Sequence, residues 1–84
     1  METKIAVVSI IVEDLESSSP TNELLHEFSQ YIIGRMGIPY RQKNIGIISV
    51  VIDAPQNVIS SLSGKLGMIR GINVKVVVSK TGEK

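Results

Sequence analysis

Two hydrophobic periods alternate along this chain. Residues 4–13 read as a strand: Ile5, Val7 and Ile11 fall on one face, and Ala6, Val8, Ile10 and Val12 on the other. Residues 45–53, IGIISVVID, repeat the pattern, with Ile48, Val50 and Ile52 opposed to Ile45, Ile47 and Val51. A strand that is apolar on both faces belongs in the middle of a sheet and is covered on both sides. Residues 72–79 also alternate, but only Ile72, Val74, Val76 and Val78 form an apolar face. Residues 35–43, RMGIPYRQK, are weaker. Pro39 cannot donate to a ladder, so this segment is expected at a sheet edge, where Arg41 and Lys43 discourage stray pairing. Asn44 marks the turn that follows.

Helical spacing appears twice. Leu24, Leu25, Phe28, Tyr31 and Ile32 make one stripe, which predicts a helix over 20–33 that Gly34 ends. Ser19 is its expected N-cap and Pro20 its first residue. Val58, Ile59, Leu62 and Leu66 make the second stripe, over 55–66, with Asp53 and Gln56 as a capping pair. Gly67 stands where a left-handed C-terminal residue is wanted, and Gly71 permits the turn into the last strand. Gly64, inside this helix, costs about 1 kcal/mol relative to alanine, so close packing or a ligand is its expected reason. Residues 81–84 are expected to fray.

The order is β-α-β-β-α-β, an α+β arrangement. Right-handed crossovers interleave two such units into a four-stranded antiparallel sheet with both helices on one face. The first and third strands then form the central pair, and they are the two with a second apolar face. Helices cover only one side of a two-layer domain, so the far side calls for cover from outside the chain, most simply another copy.

Composition narrows the picture. With 84 residues, 1–84 form a single domain with a limited core. There is no cysteine, hence neither disulfide nor thiolate metal ligand, and subunit association is the remaining common way to bury more surface. A net charge of +1 predicts no strong attraction to nucleic acid or to an anionic membrane. Charge is uneven along the chain. Residues 1–34 carry six carboxylates against Lys4, and 35–84 carry eight basic side chains against Asp53 and Glu83. In an interleaved sheet these halves mix. The apolar run 5–12 falls well short of the ~20 residues of a membrane span. Glu13 and Asp14 occupy the place of a signal-peptide cleavage site, so a cytoplasmic protein is expected.

Candidate chemistry is sparse. RNA-binding modules of this topology stack bases on aromatic rings of the central strands, and 5–12 and 45–53 contain none. His26 is the single histidine and reads as a boundary residue of the first helix rather than a metal ligand. Nothing spaces serine, His26 and Glu23 as a catalytic set, and Asp14 and Glu16 read as solvated loop carboxylates. GIPYR and SGKLG lack the spacing of phosphate loops, and Gly64-Lys65 lies at the wrong end of a helix dipole for an anion. The one suggestive place is the polar loop DLESSS with Asn22, between a central strand and a helix start. There Asp14, Ser18, Ser19 and Asn22 are the candidate ligand-binding residues for a small anion or amino acid. No catalytic residue, metal ligand or cofactor is assigned.

The segments NELLH (22–26) with Phe28, RMGIP (35–39), and LSGKLG (62–67) with Gly71, Val74 and Lys75 resemble a family of small bacterial proteins described as regulators of the iron-only hydrogenase system. The resemblance spans about residues 5–78. It implies a ferredoxin-like, ACT-type fold, similar also to the C-terminal regulatory domain of nickel-responsive repressors, whose nickel ligands have no counterpart here. It further implies a non-enzymatic, oligomeric sensor of a small effector. ACT-type domains place effectors at subunit interfaces near the loop after the first strand. The loop DLESSSP lacks the glycine often found there, which departs from an amino-acid site. There is no helix-turn-helix or ribbon-helix-helix segment, so direct DNA binding is not expected. The expectation is a homodimer or homotetramer that takes a small effector at an interface. The alternative is a structural protein–protein interaction module without a small ligand. A small enzyme with a site assembled across subunits is the third reading.

Overall fold

The computed structural model describes residues 2–80 and has the expected order, with β1 Lys4–Val12, α1 Ser18–Glu27, β2 Ile32–Tyr40, β3 Ile45–Ala54, α2 Gln56–Gly67 and β4 Ile72–Val78. All strand pairs are antiparallel, and the sheet order is β2-β3-β1-β4. The fold is therefore ferredoxin-like, with β1 and β3 at the centre. The tail 81–84 lies outside the described residues.

One face of the sheet builds the core. Ala6, Val8, Ile10 and Val12 of β1 alternate inward with Ile48, Val50, Ile52 and Ala54 of β3, all buried. Leu25 of α1 and Ile59, Leu62 and Leu66 of α2 close over them. The spacing of the three α2 residues puts them on one helical stripe, as their sequence demands. Ile72, Val74, Val76 and Val78 line the same side at the edge and are half-buried.

The first helix is shorter than its stripe suggests. It ends at Glu27, a 3₁₀ turn covers Ser29–Tyr31, and Ile32 already belongs to β2, so Gly34 is a strand residue and not a helix stop. Phe28, Tyr31 and Ile32 do pack on the core, as their spacing predicts, but from a turn and a strand. Ile32 gains a ladder partner on β3, Ile52, and Ile33 is the extra residue of a bulge between Ile32 and Gly34. β2 lies at the sheet edge, as Pro39 requires, and begins three residues earlier than its basic segment indicates.

Capping also differs from the expected pattern. A 3₁₀ turn, Leu15–Ser17, runs straight into α1, so Ser19 lies inside the helix and Pro20 is its third residue. The cap passes to Asp14, whose carboxylate accepts the Glu16 amide at 3.0 Å. Asp53 and Gln56 do not form a box: the strand continues to Ala54, Pro55 is the N-cap, and Gln56 donates to Ser60 Oγ at 3.2 Å. Gly67 ends α2 without left-handed geometry. Among the described glycines, only Gly71 has a positive φ, +82°. Around Gly64 nothing lies within 4 Å of a would-be Cβ, so close packing within the chain is not its reason.

Asn44 is left-handed at φ 60°, after a 3₁₀ turn over Arg41–Lys43. Replacing Asn44 by alanine is expected to cost about 1 kcal/mol, and by glycine nothing, as read from urea unfolding midpoints.

Candidate functional site

The loop after β1 is held firmly. Glu13 and Asp14 donate their amides to the Gly71 carbonyl at 2.7 and 3.1 Å, and the Ser17 hydroxyl donates to the Arg70 carbonyl. Thr21 is fully buried and returns its hydroxyl to the Ser17 carbonyl at 2.7 Å. The start of α1 is thereby pinned to the turn before β4.

Beside this pinned start a cleft of about 220 Å³ opens between α1 and the helix-side surface of β2 and β3. Ser18, Asn22, Arg35, Gly37 and Pro39 are among its walls, with Leu15 at one side. Two of the four candidate residues, Ser18 and Asn22, therefore share one cavity. The other two do not: Asp14 is occupied as the turn cap, and Ser19 is not among the lining residues. Arg35 is the residue that the chemical reading of the sequence missed. Its Nη2 donates to Asn22 Oδ1 at 2.7 Å, while Asn22 Nδ2 donates to the Ser18 carbonyl at 3.0 Å. A guanidinium has five N–H donors, so one bond to Asn22 leaves capacity for a planar anion. The local signal for Arg35 was faint. It sits in a short basic segment that reads equally well as a protected edge.

A second cavity, about 300 Å³, lies between α1 and the end of α2 and is lined by Pro20, Glu23, Leu24, Glu27, Lys65 and Met68, among others. The Lys65 ammonium lies 5.6 Å from the Phe28 ring centroid, a cation–π distance. His26 is exposed on α1. Among the described residues no group of three or more His, Cys, Asp or Glu gathers as a metal would need, and no helix is long and apolar enough to cross a membrane.

The open face of the sheet carries the other unusual surface. β1 presents Ile5, Val7, Ser9 and Ile11 there, and β3 presents Ile45, Ile47, Ser49, Val51 and Asp53. β2 adds Met36, Ile38 and Tyr40, and β4 adds Asn73, Lys75 and Val77. Seven large apolar side chains on this face, Ile5, Ile11, Met36, Ile38, Tyr40, Ile47 and Val77, are between 36 and 68% exposed. Single exposed apolar residues are ordinary, but a contiguous set on one sheet face marks an interaction surface.

No curated protein sequence matches the chain. The TM1266-like family, described as "Iron-only hydrogenase system regulator, putative", matches residues 4–76. The solved structure of the uncharacterized protein TM1266 from Thermotoga maritima is 40% identical, with a TM-score of 0.89, over 94% of this chain and all of that one. A formyltetrahydrofolate deformylase from Pseudomonas putida KT2440 is similar at 13% identity and a TM-score of 0.62, over 87% of this chain and 28% of that one. That second likeness speaks for the fold alone. The family match and the 40% identity run along nearly the whole chain, and the chain belongs to the TM1266-like family.

Proposed function

We propose that this chain is a non-catalytic regulatory subunit of an iron-only hydrogenase system, active as an assembly of its own copies and responsive to a small effector. The observation that carries the reading is the open sheet face, where central-strand isoleucines stand exposed on a domain too small to bury them itself. A homodimer or homotetramer covers that surface. Light scattering at micromolar concentration is expected to give an assembly, and a stable monomer would overturn the reading.

The effector belongs in the cleft of Ser18, Asn22 and Arg35. The guanidinium and the Ser18 hydroxyl suit a small carboxylate or another planar anion, and Gly37 keeps the wall low. A thermal-shift series of amino acids, dicarboxylates, nucleotides and metal salts tests this, since a ligand of the native state raises its melting temperature. An anionic compound is expected to raise it by several degrees, and Arg35→Gln is expected to abolish that rise while leaving the unliganded melting temperature within about a degree. An assembled protein with no hit in the series would favour the interaction module that binds no metabolite.

A further inference from the structure

We infer that the copies pair face to face about a two-fold axis that runs parallel to the strands, midway between β1 and β3, with Val77 of each chain seated over Gly34 of the other. This rests on the self-association proposed above and adds the geometry of the interface.

The registers carry the inference. Across the central pair on the open face, Val7 stands beside Val51, Ser9 beside Ser49, and Ile11 beside Ile47. Each of these three rows thus carries the same residue type on both central strands, while the end row pairs Ile5 with Asp53, which is exposed at the rim. The outer strands extend the rows: Gly34 and Val77 join the valine row, Met36 and Lys75 the serine row, and Ile38 and Asn73 the isoleucine row. The strand order β2-β3-β1-β4 places one outer strand on each side of the central pair. An axis along the strands therefore exchanges β1 with β3 and β2 with β4 while keeping every row in place. Valine meets valine, serine meets serine and isoleucine meets isoleucine, the self-complementarity that an isologous contact requires.

The outer columns fit the same operation. Val77 is the most exposed apolar side chain of the face, at 68%. Gly34 has an ordinary φ, and nothing in its own chain lies within 4 Å of a would-be Cβ. The fold of one chain gives no reason for glycine there, and a projecting valine from a second chain supplies one. The two-fold puts Val77 over that gap and lays the Lys75 stem along Met36, with the ammonium free to reach the rim. A two-fold turned by 90°, along the serine row, would set Lys75 against its own copy, a like-charge contact that the proposed axis avoids. Facing serine rows, with small side chains that each donate and accept, let the sheets approach closely. Four strands about 4.8 Å apart and about 30 Å long give a flat projection of roughly 600 Å² a side. A corrugated surface of that outline approaches the ~800 Å² per partner of a standard stable interface.

The test uses two variants of the full chain, Val77→Asp and Gly34→Lys. Both positions are exposed, and circular dichroism verifies that each variant folds. Each alone is expected to weaken self-association at least tenfold by sedimentation. Mixed one to one, they are expected to associate again, because one contact then holds the new carboxylate against the new ammonium and the other keeps valine over glycine. A second measurement needs no disruptive change. The chain has no cysteine, so Ser9→Cys and Ser49→Cys chains, mixed and oxidised, are expected to yield the mixed disulfide in excess of either self-linked product. A native assembly with no rescue on mixing, or one in which Ser9→Cys links chiefly to itself, would overturn this geometry and leave the proposed self-association standing. A native monomer would overturn both.

Discussion

Replacing Gly71 by alanine is expected to cost about 3–5 kcal/mol, most of the stability of a domain of this size. Two effects add. The residue sits at φ +82°, where an L side chain costs about 1–2 kcal/mol. An alanine Cβ would also stand 2.5 Å from the Asp14 Cβ and 2.9 Å from Ser17 Oγ. The first neighbour is tied to the backbone and cannot swing away, so the loop after β1 must move. That loop donates two amides to the Gly71 carbonyl and one hydroxyl to the Arg70 carbonyl, each bond contributing about 1 kcal/mol. Urea unfolding should show a large fall in midpoint. A control is built into the same segment: Gly64 has helical geometry and nothing within 4 Å, so Gly64→Ala should stabilise by about 0.5–1 kcal/mol. If Gly71→Ala left the midpoint within 0.5 kcal/mol of native, the account of the pinned loop would be wrong. The consequence reaches the site, because the same loop delivers Ser18 and Asn22 to the cleft.

Gly71 was legible in the sequence because a turn before an alternating strand has few other solutions. Gly67 was not, since a left-handed cap competes with a tail that closes by tighter bonds, here Met68 N to the Lys65 carbonyl and Ile69 N to the Leu66 carbonyl. The central strands were the clearest element. Two faces of Val and Ile on β1 and β3 leave no edge position for either, and the topology follows from that pair. The helix boundary at Glu27 was hidden because Phe28, Tyr31 and Ile32 reach the core whether the backbone coils or extends, so the apolar spacing reads the same. The cleft was half visible. Ser18 and Asn22 announce themselves by lying at a strand-to-helix junction, whereas Arg35 comes from an edge strand 13 residues beyond Asn22. Only the antiparallel register brings that edge beside α1, and no local pattern encodes such a pairing.

Truncating Leu62 to alanine is expected to cost about 3–4 kcal/mol, and to make the link between folding and assembly measurable. Leu62 is fully buried, between Ile59 and Leu66 on the stripe that α2 lays on the sheet. Its loss removes the transfer energy of three carbons and leaves a cavity that a helix anchored on both sides cannot collapse. In a monomer that loss would lower the melting temperature by the same amount at every protein concentration. In an assembly that holds the native chain together through its open face, mass action restores part of the loss as concentration rises. Leu62 lies on the helix side of the sheet, away from the proposed interface, so the substitution tests the coupling without touching the contact. Over a hundredfold range of concentration, the melting temperatures of both native and Leu62→Ala chains are expected to climb in parallel by several degrees. Combining Leu62→Ala with Val77→Asp should flatten that climb, because the variant then melts as a single chain. A native melting temperature independent of concentration would mean that the exposed isoleucines of the central strands and Val77 of β4 contribute nothing to holding copies together.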